Sequence, residues 1–151
     1  MFKYLILVAT FIPAIFATEG LMQCSGGHEA PLEVIVEGCD QAPCDIQLGS
    51  DAIMRVTFFA YRDIATFSPR TIAFLGPIPI PYELPPNVRD TACDNLEGAE
   101  CPIAAGSTVV YVFRFPVGPN YPPTNNLQIE LSLMEDDSLI NCIRVPINAV
   151  N

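Results

Sequence analysis

Residues 127–133, which read LQIELSL, alternate apolar and polar side chains at every position. This period of two is typical of a β-strand with one face in a core and the other in water. Asp136 and Asp137 follow as a turn signal, and residues 140–147 return as the last strand. The stretch therefore predicts an antiparallel hairpin close to the end of the chain.

Further segments rich in β-branched and aromatic residues extend this pattern towards the N-terminus. They are predicted as strands at residues 32–37, 53–61, 70–75 and 108–117. No window shows the 3.6-residue period of an amphipathic helix with recognisable caps. Short strands separated by Pro, Gly, Asn and Asp favour an all-β fold, an antiparallel sandwich of two sheets.

Two proline-rich segments interrupt the strands, at residues 76–86 and 119–123. Proline has no backbone N–H to donate to a sheet, so the first segment must be a loop or a sheet edge. Both segments carry apolar side chains, among them Ile78, Ile80 and Tyr121. An apolar loop is either a buried cover or the rim of a ligand opening, and the sequence leaves both open.

The N-terminal residues 1–17 have the layout of a secretory signal peptide. Lys3 precedes an apolar run at residues 5–12, Pro13 breaks it, and residues 14–17 lead to a cleavage point after Ala17, with Ile15 at the less usual −3 position. The run is shorter than the roughly 20 residues that span a bilayer. We therefore expect a secreted, extracellular protein with one mature domain, residues 18–151.

The cysteines and the charge fit an exported chain that does not bind nucleic acid. Six cysteines all follow residue 17, and an even number in an exported chain indicates disulfides, although spacing alone leaves 15 pairings open. A structural metal site is not expected, because the chain has no CxxC pair and His28 is its only histidine. The net charge of −10 would repel nucleic acid and anionic membrane surfaces.

The motifs of catalysis are also missing, so we expect no enzyme, no catalytic residue and no cofactor. His28 lies in the Gly-rich stretch 25–28, which predicts a surface turn, and a nucleophile would need it as an aligned base. There is no GxSxG, HExxH or phosphate-binding glycine loop. The acidic run 135–137 lacks the spaced ligands of a calcium loop.

The cysteine spacing and the motifs between the cysteines resemble a known family. In order they are Gly38-Cys39, Cys44, the segment GPIPIPY at 76–82, Cys101-Pro102 and the segment PVGPNYP at 116–122. This ordered set, from about Cys24 to Ile147, is similar to the MD-2-related lipid-recognition (ML) family. It is most similar to the Niemann–Pick type C2 branch of secreted lipid- and sterol-binding proteins.

The resemblance implies a fold and a disulfide pairing. The fold is an immunoglobulin-like β-sandwich of about seven strands, with an apolar cavity between the sheets. The implied pairs are Cys24–Cys142, Cys39–Cys44 and Cys93–Cys101. A bridge that closes almost the whole domain would stabilise it by roughly 5 kcal/mol in the chain-entropy model.

The resemblance also implies ligand-binding residues at the cavity mouth: Tyr82, Val117 and Tyr121. Sterol-binding members carry Phe at the position of Tyr82, so its hydroxyl needs a partner and would suit a ligand with a polar head. The alternation along the strands adds six candidates for the cavity wall. Each of these residues could instead be an ordinary part of the packed core. They are Phe58, Tyr111, Phe113, Phe115, Leu131 and Leu133.

The chain has no Asn-X-Ser/Thr sequon and no lysine after residue 17. With Tyr82 and the low isoelectric point, these features resemble arthropod members that carry fatty acids and semiochemicals. The leading prediction is a secreted carrier of a long-chain fatty acid or similar semiochemical, with a membrane or receptor as its delivery partner. A sterol-binding transfer protein, and an innate-immune protein that recognises microbial lipid, are the alternatives.

Overall fold

A computed structural model describes residues 16–151, so the predicted signal peptide lies outside the described residues except for Phe16 and Ala17. The described residues form nine strands. They are β1 (Glu33–Val36), β2 (Cys44–Gln47), β3 (Asp51–Phe59), β4 (Ser68–Leu75), β5 (Ile78–Pro81), β6 (Leu96–Glu97), β7 (Thr108–Pro116), β8 (Thr124–Glu135) and β9 (Ser138–Val150). The prediction of an all-β fold is confirmed.

The strands form two sheets, with the order β1-β3-β7-β6 in one and β2-β9-β8-β4-β5 in the other. All neighbours run antiparallel except β2 and β9, which are parallel. The inward faces of both sheets are apolar and buried, as in the register pairs Val56↔Tyr111 and Ile129↔Val145. Alternation along each strand therefore places the core between the sheets.

The six strands predicted from the sequence are all present, and the hairpin of β8 and β9 turns at Asp136 and Asp137. Asp136 has a φ of 51°, a left-handed conformation that Asp tolerates better than most residues. The nine strands exceed the expected seven, and β2 and β6 were not predicted from the sequence. β2 reads CDIQ, with a single β-branched residue, and the two residues of β6 are too few to show a period.

The first proline-rich segment is partly a sheet edge. β5 pairs with β4 at the outer edge of the five-stranded sheet, and Pro79 and Pro81 stand within it. A single-turn helix, α1 (Pro86–Arg89), and a 3₁₀ turn at Ala92–Asn95 follow. Each is too short for a period of 3.6 to appear in the sequence. No helix within residues 16–151 is long and apolar enough to cross a membrane.

The three disulfides join the pairs that the family resemblance implies, Cys24–Cys142, Cys39–Cys44 and Cys93–Cys101. Cys24–Cys142 fastens the segment before β1 to β9, and Met22 and Arg144 exchange backbone hydrogen bonds of 2.9 Å beside it. Within residues 16–151 the only cluster of potential metal ligands is Cys24, Glu130 and Cys142. Its two sulfurs are bonded to each other and are not thiolates.

Candidate functional site

The inner faces of the sheets separate at one end of the sandwich and enclose an apolar cavity of about 280 Å³. The five-stranded sheet contributes small and branched side chains from β4, β8 and β9. These are Ala73, Leu75, Leu127, Ile129, Ile147 and Ala149. The four-stranded sheet contributes Phe115 and Pro116 from the end of β7, followed by Val117. Ala73 and Ala149 leave space that larger residues would fill.

The two proline-rich segments form the rim of this cavity. Ile80 and Tyr82 line it from β5 and the residue after β5, and Tyr121 lines it from the turn after Val117. Ile80 and Tyr121 are exposed at 39% and 54%. The Tyr121 ring lies against Gly118, where an added Cβ would be 3.0 Å from its Cε2 atom. Of the two roles considered for these apolar segments, Ile80, Tyr82 and Tyr121 lie at a rim, whereas Leu84 is buried.

Tyr82 connects the two sheets at this rim. Its hydroxyl donates a hydrogen bond of 2.7 Å to the carbonyl oxygen of Pro116, and its ring lies 4.7 Å from that of Phe115. Burial raises the pKa of the Tyr82 hydroxyl above 10, and Tyr121 and Asp51 raise it further. The hydroxyl proton is therefore committed to the protein rather than free for a ligand's polar head.

The lining has no side chain that is charged at neutral pH. Its side-chain polar atoms are the hydroxyls of Tyr82, Tyr121 and Thr124, and Thr124 donates to the Pro122 carbonyl at 2.9 Å. The lining therefore distinguishes between ligands by their shape and by their apolar contacts. It also holds no base beside a nucleophile, since His28 is exposed in the segment before β1 and does not line the cavity.

Four of the nine predicted ligand-binding residues line the cavity: Tyr82, Phe115, Val117 and Tyr121. The other five do not line it and are at most 1% exposed. They are Phe58, Tyr111, Phe113, Leu131 and Leu133. They fill the part of the sandwich where the sheets pack directly, as the edge-to-face contact of Tyr111 with Phe67 at 5.1 Å shows. Their observed role is core packing.

Sequence reasoning missed the floor of the cavity, which includes Ala73, Ile129 and Ala149. Parity already placed Leu127 and Ile129 on the same face as Leu131 and Leu133. Alternation shows which side chains of a strand face the interior. It does not show where along the strand the opposite sheet moves away and leaves a cavity. A pair of small inward residues, Ala73 and Ala149, was the one available signal for extra space.

One family model covers most of the chain, and one relative and one solved structure resemble the chain over most of its length. The sequence model described as "ML domain" matches residues 21–149. A relative from the zebrafish Danio rerio, "NPC intracellular cholesterol transporter 2", is 28% identical over 131 residues, which cover 86% of this chain and 84% of the relative.

A solved structure supports the fold. The crystal structure of a Niemann–Pick type C2 protein from the Japanese carpenter ant superposes with a TM-score of 0.69 at 21% identity. The match covers 86% of this chain and 98% of the ant protein. At this identity the likeness establishes the shared β-sandwich.

Proposed function

Since the chain belongs to the ML domain family, we propose that it is a carrier that binds one apolar lipid between its two sheets without transforming it. The observation that carries the proposal is the apolar cavity of about 280 Å³ with no charged side chain in its lining. Its volume lies just below the roughly 300–1,000 Å³ of typical small-molecule sites. An apolar ligand gains roughly 0.8 kcal/mol per CH₂ group buried, less the costs of association.

We propose a sterol as the ligand class. The zebrafish relative, matched over most of both chains, is named a cholesterol transporter. This supports the sterol better than the long-chain fatty acid or semiochemical that the sequence analysis placed first. The sequence analysis favoured a ligand with a polar head because the Tyr82 hydroxyl needed a partner. That hydroxyl already donates a hydrogen bond to the Pro116 carbonyl.

The fatty acid remains the second candidate, because the cavity is small and its rim is open to water beside Tyr121. A single chain would fit it with the carboxylate hydrated at the rim. Recognition of a microbial lipid with several acyl chains is less favoured, since several chains would need more than about 280 Å³. We assign no receptor or membrane partner.

We also propose that the protein is exported and cleaved after Ala17. The three disulfides support an oxidising compartment. Ala17 is exposed, whereas Thr18 is buried and its hydroxyl donates to the Cys39 carbonyl at 2.7 Å and accepts from the Val36 N–H at 2.8 Å. N-terminal sequencing of the protein from the medium of a secreting host should begin at Thr18.

Competition for a fluorescent sterol tests the ligand. The exported protein is saturated with dehydroergosterol and titrated with cholesterol or oleate. We expect one sterol site per chain, micromolar affinity and displacement by cholesterol at the lower concentration. Displacement by oleate but not by cholesterol would show that the ligand is a fatty acid. If neither lipid binds, the carrier proposal is wrong.

A cavity-filling substitution tests the place of binding in the same assay. Ala73 is 9% exposed on the cavity floor, so Ala73→Phe should abolish sterol binding by occupying the space. Ala104→Phe, at an exposed turn before β7, is the matched control and should bind as the wild type does. Both variants should retain the wild-type circular dichroism spectrum. Sterol binding unchanged by Ala73→Phe would place the ligand elsewhere.

A further inference from the structure

Thr71 carries a polar group that no contact explains. It lies on β4 and is 8% exposed, and its hydroxyl is buried without a hydrogen-bond partner among the described residues. Burying an unpaired hydroxyl is costly, and native proteins seldom do so without a reason.

Thr71 lies directly beneath the cavity floor. Alternate residues of β4 face the interior, so Leu75, Ala73 and Thr71 form one inward row. Their exposure falls from 41% through 9% to 8% along that row. Leu75 and Ala73 line the cavity, and Thr71 follows Ala73 by about 6.7 Å of strand. A ligand longer than the cavity, inserted from the rim, would meet Thr71 next.

The protein has space at that position. A side groove of about 620 Å³ is lined by Thr71, Leu84, Pro81 and Tyr82, and the last two also line the main cavity. The two spaces therefore adjoin at Pro81 and Tyr82, and Thr71 lines the groove on the other side of these residues from the cavity. Three charged residues also line the groove: Arg70, Glu83 and Arg89. Arg89 pairs with Asp90 at 2.8 Å and with Glu83 at 3.5 Å, and Arg70 lies 3.7 Å from Asp137.

From this geometry we propose that Thr71 is a specificity-determining residue that hydrogen-bonds an oxygen function at the inserted end of the ligand. The inference rests on the proposed carrier function and narrows it. A lipid with one polar group keeps that group hydrated at the rim, so only a second, distal oxygen reaches Thr71. The ligand class is therefore an apolar lipid oxygenated at both ends, such as a sterol hydroxylated on its side chain.

A matched pair of ligands tests this. Cholesterol and 25-hydroxycholesterol differ by one side-chain hydroxyl, and each is titrated against bound dehydroergosterol in a competition assay. The wild type should bind 25-hydroxycholesterol about threefold to tenfold more tightly, the effect of one net hydrogen bond. Thr71→Val removes the hydroxyl with little change of shape and should shift the ratio of the two Kd values by about tenfold against 25-hydroxycholesterol.

Two further variants separate this role from general packing. Thr71→Ser keeps the hydroxyl and should retain the wild-type ratio. Thr57→Val makes the same chemical change on the outer face of β3 and should leave the ratio unaltered. Without ligand, Thr71→Val should have a higher urea midpoint than the wild type, because it replaces an unpaired buried hydroxyl with a methyl group.

The results that overturn the inference are distinct from those that overturn the carrier function. If wild type and Thr71→Val bind the pair with the same ratio, or if Thr71→Val lowers the urea midpoint, Thr71 has no such role although sterol binding stands. If the wild type binds neither sterol, both the proposed sterol ligand and this inference are wrong.

Discussion

At the scale of single residues, Tyr82 shows what the sequence predicts and what it leaves out. The family resemblance placed Tyr82 at the cavity mouth, and it lines the cavity there. The sequence did not show that its hydroxyl is taken by the Pro116 carbonyl, 34 residues further along the chain. That partner exists only once the edge of one sheet has packed against the end of β7 in the other.

Tyr82→Phe should weaken this connection between the sheets. Loss of one partly buried hydrogen bond should lower the free energy of unfolding by about 1 kcal/mol, measured by urea denaturation. Dehydroergosterol should also dissociate faster in stopped-flow measurements, because the ring at the rim is less restrained. Tyr61→Phe is the control, since Tyr61 is 69% exposed, and it should change stability by less than about 0.5 kcal/mol. Equal behaviour of the two variants would contradict the bridging role of Tyr82.

At the scale of secondary-structure elements, strands with several β-branched or aromatic residues were predictable from the sequence, and strands without them were not. β8 was predicted because its apolar and polar side chains alternate over many residues, and β9 because it follows the turn at Asp136 and Asp137. β2 and β6 depend on pairing with β9 and β7, which a local pattern cannot record. The same limit applied to the cavity. Alternation identified the inward face of β7, but only its last two residues, Phe115 and Pro116, and the following Val117 reach the cavity.

The end of β8 also fastens the connection between β3 and β4, which crosses from one sheet to the other. The Glu135 carboxylate accepts hydrogen bonds from the Arg62 guanidinium and, at 2.7 Å, from the Ala65 N–H. These two donors, Arg62 first, lower the pKa of Glu135 below 4.5. A carboxyl whose pKa is lower in the folded than in the unfolded state stabilises the fold above the unfolded value. That contribution is lost as the pH falls through the folded value.

Glu135→Gln should therefore lower the urea midpoint at pH 7, and the difference from the wild type should shrink as the pH falls below 4.5. Asp137→Asn is the matched control, because the Asp137 side chain is fully exposed and 3.7 Å from Arg70. It should have almost no effect at either pH. A deficit in Glu135→Gln that persists unchanged at low pH would show that the ionised carboxylate is not the stabilising group.

At the scale of the whole molecule, the sandwich is closed at one end and open at the other. The closed end holds the aromatic cluster of Phe58, Phe67 and Tyr111, with ring centroids 5.9 Å and 5.1 Å apart. The open end holds the cavity. The sequence predicted two sheets and an apolar interior. It could not show where the interior is filled and where it is empty, because that depends on the distance between the sheets.

Loss of the Cys24–Cys142 bridge should be the most damaging of the three disulfide deletions. Its sequence separation is 118 residues, against 5 for Cys39–Cys44. The chain-entropy model gives about 5 kcal/mol for the first and about 2 kcal/mol for the second. The paired alanine variants should show that order in urea denaturation. The reverse order would mean that the long bridge contributes little beyond the sheets themselves.

The central claim is that an apolar lipid lies between the two sheets at the open end. The most direct test is isotope-edited NMR of the protein, labelled at its methyl groups, with bound cholesterol. We predict intermolecular nuclear Overhauser effects to Val117, Leu127, Ile129 and Ile147, which line the cavity, and none to Ile35 on the outer face of β1. Contacts confined to outward-facing methyl groups, with cholesterol bound at one per chain, would contradict the claim.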